Sequence, residues 1–151
     1  MKRAILVLLV LLGVSGSLFA QQSFGDRLGI GVIVGEPTGL SLKLWTGDRG
    51  ALDAAVAWSF TGNAFYIHMD YLMHVLPSAP RAPGSLSVYL GLGGTLLVGG
   101  GVQVGLRMPI GINYLFARFP IGIFAELAPG VLLMPSTAFR LGGGVGVHFY
   151  L

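Results

Sequence analysis

From Leu28 to Leu151 the chain alternates apolar and polar positions with a period of two. The run Val102-Gln103-Val104-Gly105-Leu106-Arg107-Met108-Pro109-Ile110-Gly111-Ile112-Asn113 shows it most clearly. Its even positions are all large and apolar, and its odd positions carry glycine, proline, amide or charge. Successive side chains of a strand point to opposite faces, whereas a helix repeats near every 3.6 residues, so this is strand patterning. The same reading of the other runs puts Lys43, Asp53, His68, Asp70, His74, Arg107, Glu126 and His148 on one face, opposite most of the large apolar residues.

Eight strands are predicted, over 28–35, 39–46, 51–60, 65–75, 85–93, 102–113, 121–133 and 140–151. Turn chemistry separates them: Glu36-Pro37-Thr38-Gly39, Gly47-Asp48-Arg49-Gly50 and Thr61-Gly62-Asn63, where glycine and asparagine accept the positive φ of tight hairpins. The segment 76–84 holds three prolines and reads as the longest connection. Residues 94–100 read as a further loop.

The apolar faces are too many, and the polar faces too small, for this to be a soluble sandwich. The pattern instead predicts an inverted sheet with grease outward toward lipid. Strands of this length match the 9–11 residues of a tilted membrane strand. Backbone groups in lipid must all be paired, so the sheet must close into a barrel. Eight is an even count, as single-chain bacterial barrels have. A barrel of that size is filled by its own side chains, so a plugged cylinder is expected rather than a diffusion pore.

Composition supports that reading: 54% hydrophobic, 10% charged and 25 glycines, with a mean hydropathy of +0.79. Ordinary globular chains carry about 25% charged residues. Met1-Lys2-Arg3, an apolar stretch through Val14 and small residues to Ala20 have the layout of a secretory signal peptide, expected to be removed after Ala20. Residues 1–20 are then a leader, 21–27 a short lead-in and 28–151 the barrel. Nine Lys and Arg less Lys2 and Arg3 leave seven against six Asp and Glu, a formal charge of +1. No basic run or aromatic-interleaved basic stripe is present, so nucleic acid is not an expected partner. There is no cysteine, which excludes disulfides and lipid attachment through an N-terminal Cys.

Glycines 29, 31, 91, 105, 111, 122, 142, 144 and 146 fall mainly on the inward parity, as a narrow bore requires. Pro109 and Pro129 each forfeit a ladder hydrogen bond and are expected at bulges or near an interface. Residues 86–106 hold no charge, but seven glycines there, each costing a helix about 1 kcal/mol, argue against a membrane helix. Phe60 and Phe65 at one end, and Tyr114, Phe116, Phe119 and Phe149 at the other, fit the aromatic girdles of membrane barrels.

The terminal residues Gly146, Phe149 and Leu151 resemble the signal by which the outer-membrane assembly machinery recognises its substrates, with Leu where Phe is common. More widely the chain resembles the small outer-membrane barrels of the OmpX and OmpA transmembrane type. The phrases Gly35-Glu36-Pro37-Thr38-Gly39-Leu40-Ser41, Gly111-Ile112-Asn113-Tyr114-Leu115-Phe116 and Glu126-Leu127-Ala128-Pro129-Gly130 resemble a group of uncharacterised bacterial barrels of that type. The resemblance implies an outer-membrane location, lipid and lipopolysaccharide as surroundings, and the assembly machinery and periplasmic chaperones as partners during biogenesis. It brings no catalytic residues and no cofactor. With both termini periplasmic, the outer loops 36–39, 61–64, 94–100 and 135–139 are all short, which disfavours an adhesin or receptor.

Charges inside a narrow barrel must be paired. Lys43 and Arg107 against Asp53, Asp70 and Glu126, with the histidines adjusting the balance, read as a closed structural network. Arg107 and Glu126 are centred between Phe116 and Ala117, within the turn 114–119, which predicts a cross-strand ion pair. Lys43 and Asp53, centred on Asp48, are a second such case. Two alternatives remain open. One is a lipid-modifying or lipopolysaccharide-modifying enzyme built on Ser59 and His68. The other is a periplasmic lipocalin-like barrel, which would be apolar inside with a cavity. Gly91-Leu92-Gly93-Gly94 lacks the Lys and helix of a phosphate loop, and no spacing marks a metal site.

Overall fold

The computed structural model describes residues 27–75 and 84–151. The expected leader 1–20, the lead-in up to residue 26 and the proline-rich connection 76–83 lie outside the described residues. The described residues form nine strands: β1 (Leu28–Glu36), β2 (Thr38–Trp45), β3 (Gly50–Ser59), β4 (Ala64–Val75), β5 (Gly84–Val98), β6 (Val102–Arg107), β7 (Ile110–Phe116), β8 (Ile121–Met134) and β9 (Ala138–Tyr150). Every pairing is antiparallel, and the order β4-β3-β2-β1-β9-β8-β6-β5 closes on itself through a β4–β5 pairing. β7 pairs with both β5 and β8, as β6 does. The two are therefore halves of one strand, and the ring has eight staves.

That strand is interrupted at Met108-Pro109 for a local reason. Pro109 O accepts from Gly91 N at 2.8 Å, and Pro129 O accepts from Met108 N at 2.8 Å, but neither proline can return a hydrogen bond. Neither marks a bulge, one of the two placements expected from the sequence. The register against β8 is continuous from Arg107↔Gly130 to Ile110↔Leu127, and the one irregularity falls between Val104 and Gly105. The expected loop at 94–100 is also corrected. β5 runs through Thr95, Leu96 and Leu97 to Val98, and only Gly99–Gly101 turn, with Gly100 at φ +65°. Asn63 supplies the left-handed residue of the β3–β4 turn at φ 45°.

The inversion is plain in the exposure of the side chains. Among the described residues, thirty-eight large hydrophobics are exposed, Leu40 at 66% among them, while Lys43, Asp70, His68 and His148 are exposed by 2% or less. An apolar coat that continuous belongs to a surface facing lipid. Phe60, Phe65, Trp58 and Phe139 stand out near the rim of the short hairpins, and Tyr71, Phe116, Phe119 and Phe149 near the rim of the strand termini. Tyr114, half-buried, meets Phe116 edge-on at 4.9 Å.

The inward face is not uniformly polar. Ala57, Ala64, Tyr66, Leu97 and Leu132 cluster toward the hairpin rim, and Ala51, Leu72 and Tyr89, with Trp45 packed against them, toward the terminal rim. The ionic residues are sandwiched between these two apolar layers. Glycine allows the close approach of the staves: a Cβ on Gly31 would stand 1.7 Å from the Val147 carbonyl oxygen.

Candidate functional site

All eight ionisable residues singled out in the sequence lie inside the barrel and are buried. Alternation puts them there, since each sits on the inward parity of β2, β3, β4, β6, β8 or β9. Arg107 is the hub. Its Nη2 donates to Glu126 Oε1 at 2.5 Å, and its Nε stands 3.1 Å from Asp70 Oδ2, an ion pair without an aligned hydrogen bond. Its Nη1 reaches the Tyr66 hydroxyl at 3.4 Å. Tyr89 donates to Glu126 Oε2 at 2.9 Å, and His68 Nδ1 lies 2.8 Å from Asp70 Oδ2.

Arg107 and Glu126 meet, but not in the register expected. Arg107 lies opposite Gly130 and Glu126 opposite Gly111, so the pairing is centred between Arg118 and Phe119. The long guanidinium arm closes the remaining gap by running diagonally across the bore. Lys43 and Asp53 show the reverse. They are direct register partners, yet Lys43 Nζ turns to His74 Nε2 at 3.0 Å and sits 5.0 Å from the ring centres of Trp45 and Tyr89. The expected Lys43–Asp53 ion pair does not form, and the network is not closed.

His148 stands apart, stacked on Phe124 at 4.8 Å, with Nε2 at 2.8 Å from Ser41 Oγ. This Ser–His contact has no third member, because His148 Nδ1 is buried without a partner. The Ser59–His68 pair of the enzyme reading does not assemble. Ser59 lies opposite Ala64 and His68 opposite Ala55. Ser59 Oγ donates instead to Glu36 Oε1, and Arg140 Nη2 reaches Ser59 Oγ at 3.0 Å and Glu36 Oε1 at 3.5 Å. Glu36 Oε2 accepts from Phe60 N at 3.0 Å, which ties the β3–β4 hairpin to β1 and β9 at the rim.

Sequence reasoning missed this rim cluster, the Tyr66 and Tyr89 hydroxyls, and the fully buried Asn113, whose amide has no partner among the described residues. The signal was present in Tyr66, Tyr89 and Asn113, which share the inward parity of the charged set. Glu36 and Arg140 sit at strand ends, where alternation carries less information.

Among the described residues the middle of the bore holds a hollow of about 20 Å³ beside Glu36, Tyr66, Thr95, Arg107 and Arg140, room for about one water. At the terminal rim a mouth of about 600 Å³ opens down to Trp45 and His74, whose ring centres are 4.4 Å apart. The lipocalin arrangement, apolar inside around a cavity, is the opposite of what is seen. Of the three residues expected to form a terminal assembly signal, Gly146 faces inward against the Phe124 ring, while Phe149 and Leu151 are exposed.

No protein-family model matches the chain, and none of the curated proteins does. Among solved structures the barrel is similar to the N-terminal β-barrel domain of Pseudomonas aeruginosa OprF, with a TM-score of 0.62 at 15% identity, covering 84% of this chain and 98% of that one. At that identity the likeness is one of fold, a β-barrel.

Proposed function

We propose that this protein is an integral outer-membrane barrel whose role is structural or an interaction at the membrane, without catalysis and without conducting a solute. The observation that carries the reading is the inversion: a continuous apolar exterior around a bore whose ionic layer is sealed by apolar layers above and below. Lipid and lipopolysaccharide are its surroundings. Gly146, Phe149 and Leu151 serve as the terminal signal through which the assembly machinery, supplied by periplasmic chaperones, inserts it. Short hairpins at the far rim leave little surface for a receptor or adhesin.

The test is threefold. The protein should fractionate with the outer membrane and resist carbonate extraction, and its detergent-folded form should migrate differently on gels before and after boiling. Reconstituted in planar bilayers, it should give no stable conductance steps. Carbonate-extractable protein with an unchanged band would overturn the membrane assignment, and reproducible open channels would overturn the sealed bore.

A further inference from the structure

The lipid-facing coat is not smooth. Where β7, β8, β9 and β1 run side by side, their outward face carries a hollow of about 470 Å³ lined by Val32, Val34, Ile112, Ile123, Val145 and Val147. A single small side chain makes the room. Ala125 stands on the outward parity of β8, with Ile112 of β7 and Val145 of β9 as its register partners. The next outward residue of β8 toward the hairpin rim is Leu127, and toward the terminal rim the outward faces of β7 and β9 end in Phe116 and Phe149, all three exposed. Larger side chains therefore wall both ends of a depression that alanine and valine keep low.

A cation sits at the terminal end of the same strands. Arg118 lies in the turn 117–120 that joins β7 to β8, is exposed, and makes no ion pair with another described residue. Among the described residues the only acidic side chain of that rim is Asp48, in the β2–β3 turn, and β1 and β9 lie between the two hairpins. Tyr114, which borders the hollow, is half-buried and meets Phe116 edge-on, and Phe119 beside Arg118 is exposed. A tyrosine with an apolar body and a polar tip, ringed by phenylalanines, marks the depth at which acyl chains give way to head groups.

We infer that the hollow over Ala125 and the guanidinium of Arg118 form a binding site for one anionic glycerophospholipid, with an acyl chain in the hollow and the phosphate on Arg118. The inference rests on the membrane reading above with both chain ends periplasmic, which puts this rim in the glycerophospholipid leaflet. Inside a bilayer hydrophobicity selects no occupant, because acyl chains and leucines are equally apolar; fit and charge select it. A guanidinium matches phosphate in both geometry and charge. A head group without an ammonium of its own leaves the phosphate charge unanswered until it meets Arg118. A second copy of the chain fits worse. A two-fold axis along the membrane normal would set hollow against hollow and bring two Arg118 side chains to one rim of the interface, so shape and charge both oppose it.

Detergent-folded protein is offered equal amounts of phosphatidylglycerol, phosphatidylethanolamine and lipid A, and the lipids it retains are counted by native mass spectrometry, with gels before and after boiling run on every sample. One phosphatidylglycerol should be held in preference to the other two. Arg118→Gln should lower its preference over phosphatidylethanolamine about fivefold, the effect of one basic side chain at an anionic lipid surface. Ala125→Phe, which fills the hollow, should lower retention of both phospholipids, whereas Arg49→Gln in the β2–β3 turn should change neither. Equal retention of the two phospholipids, a preference for lipid A, a lipid-free dimer, or retention unchanged in Arg118→Gln and Ala125→Phe would each overturn the inference, while the boiled-gel shift leaves the membrane reading standing. Absence of that shift in the unsubstituted protein would overturn the membrane reading and the site with it.

Discussion

Removing Arg107 should damage the barrel far more than removing the charge of its partner Glu126, although the two form one ion pair. The reason is the charge count of the middle layer. Arg107→Met strips the cation from both Glu126 and Asp70 and leaves three carboxylates facing Lys43 alone. Breaking a buried ion pair costs about 3–5 kcal/mol, because the surviving charge stays desolvated. Glu126→Gln leaves two carboxylates against two cations. Arg107 keeps Asp70, and the new amide oxygen still accepts from the Tyr89 hydroxyl, so the cost should be about 1–3 kcal/mol, as for one charged hydrogen bond. In the double variant the excess charge returns to its original value, and the cost should fall short of the summed singles by about 1 kcal/mol or more. Urea unfolding of vesicle-folded protein in EDTA, followed by fluorescence of the lumenal Trp45 and lipid-facing Trp58 together with gel mobility, measures all three. Equal costs for the two single variants, or strict additivity in the double, would refute the reasoning, for then the layer would not be governed by its net charge.

Leu42→Arg, on the outward face midway along β2, should destabilise vesicle-folded protein by about 2–4 kcal/mol, with little effect expected from the same substitution at exposed Thr46 near the rim; urea midpoints in lipid measure both. Gly31→Ala should impair closure, since its Cβ would overlap the Val147 carbonyl; the cost should reach at least the about 1–3 kcal/mol of overpacking, read as a lost folded band on unboiled gels. Arg140→Ala should cost only about 0–1 kcal/mol, its pair with Glu36 being about a quarter exposed, yet should speed proteolysis at residues 60–63, where the pair holds the hairpin.

The parity of the chain was legible outside residues 94–98, and the register only in part, for one physical reason. A pleated strand sends alternate side chains to opposite faces whatever its neighbour, so facing is a local property. Register is fixed by pairing with another strand, which alternation does not encode. Arg107 and Glu126 illustrate the gap: the inferred centre was two residues short of the real one, and the pair forms only because the guanidinium arm is long. Lys43 and Asp53 illustrate the converse, with the register right and the contact absent, because His74, Trp45 and Tyr89 reach the ammonium from strands that sequence neighbours do not reveal. The segment 94–98 was hidden by the glycines flanking it. Its alternation was intact, with Thr95 and Leu97 inward and Val98 outward, but an apolar leucine on the inward side broke the polar-in expectation.

That exception explains how the bore works. Among the described residues, Ile33, Leu72, Leu97, Phe124 and Leu132 are large aliphatic and phenyl side chains buried on the inward face, and Leu97 with Leu132 caps the ionic layer on one side as Leu72 does on the other. A bore lined by ions from rim to rim would hold a water column, and water would weaken each ion pair by screening it. Dry caps lower the local dielectric, which strengthens the Arg107 contacts and at the same time removes any solvent partner from a carboxylate left over. The apolar residues inside are therefore what makes the charge balance matter. They make the placement of each cation, Arg107 between Asp70 and Glu126 and Lys43 across from Asp53, count for more than it would at a wet surface.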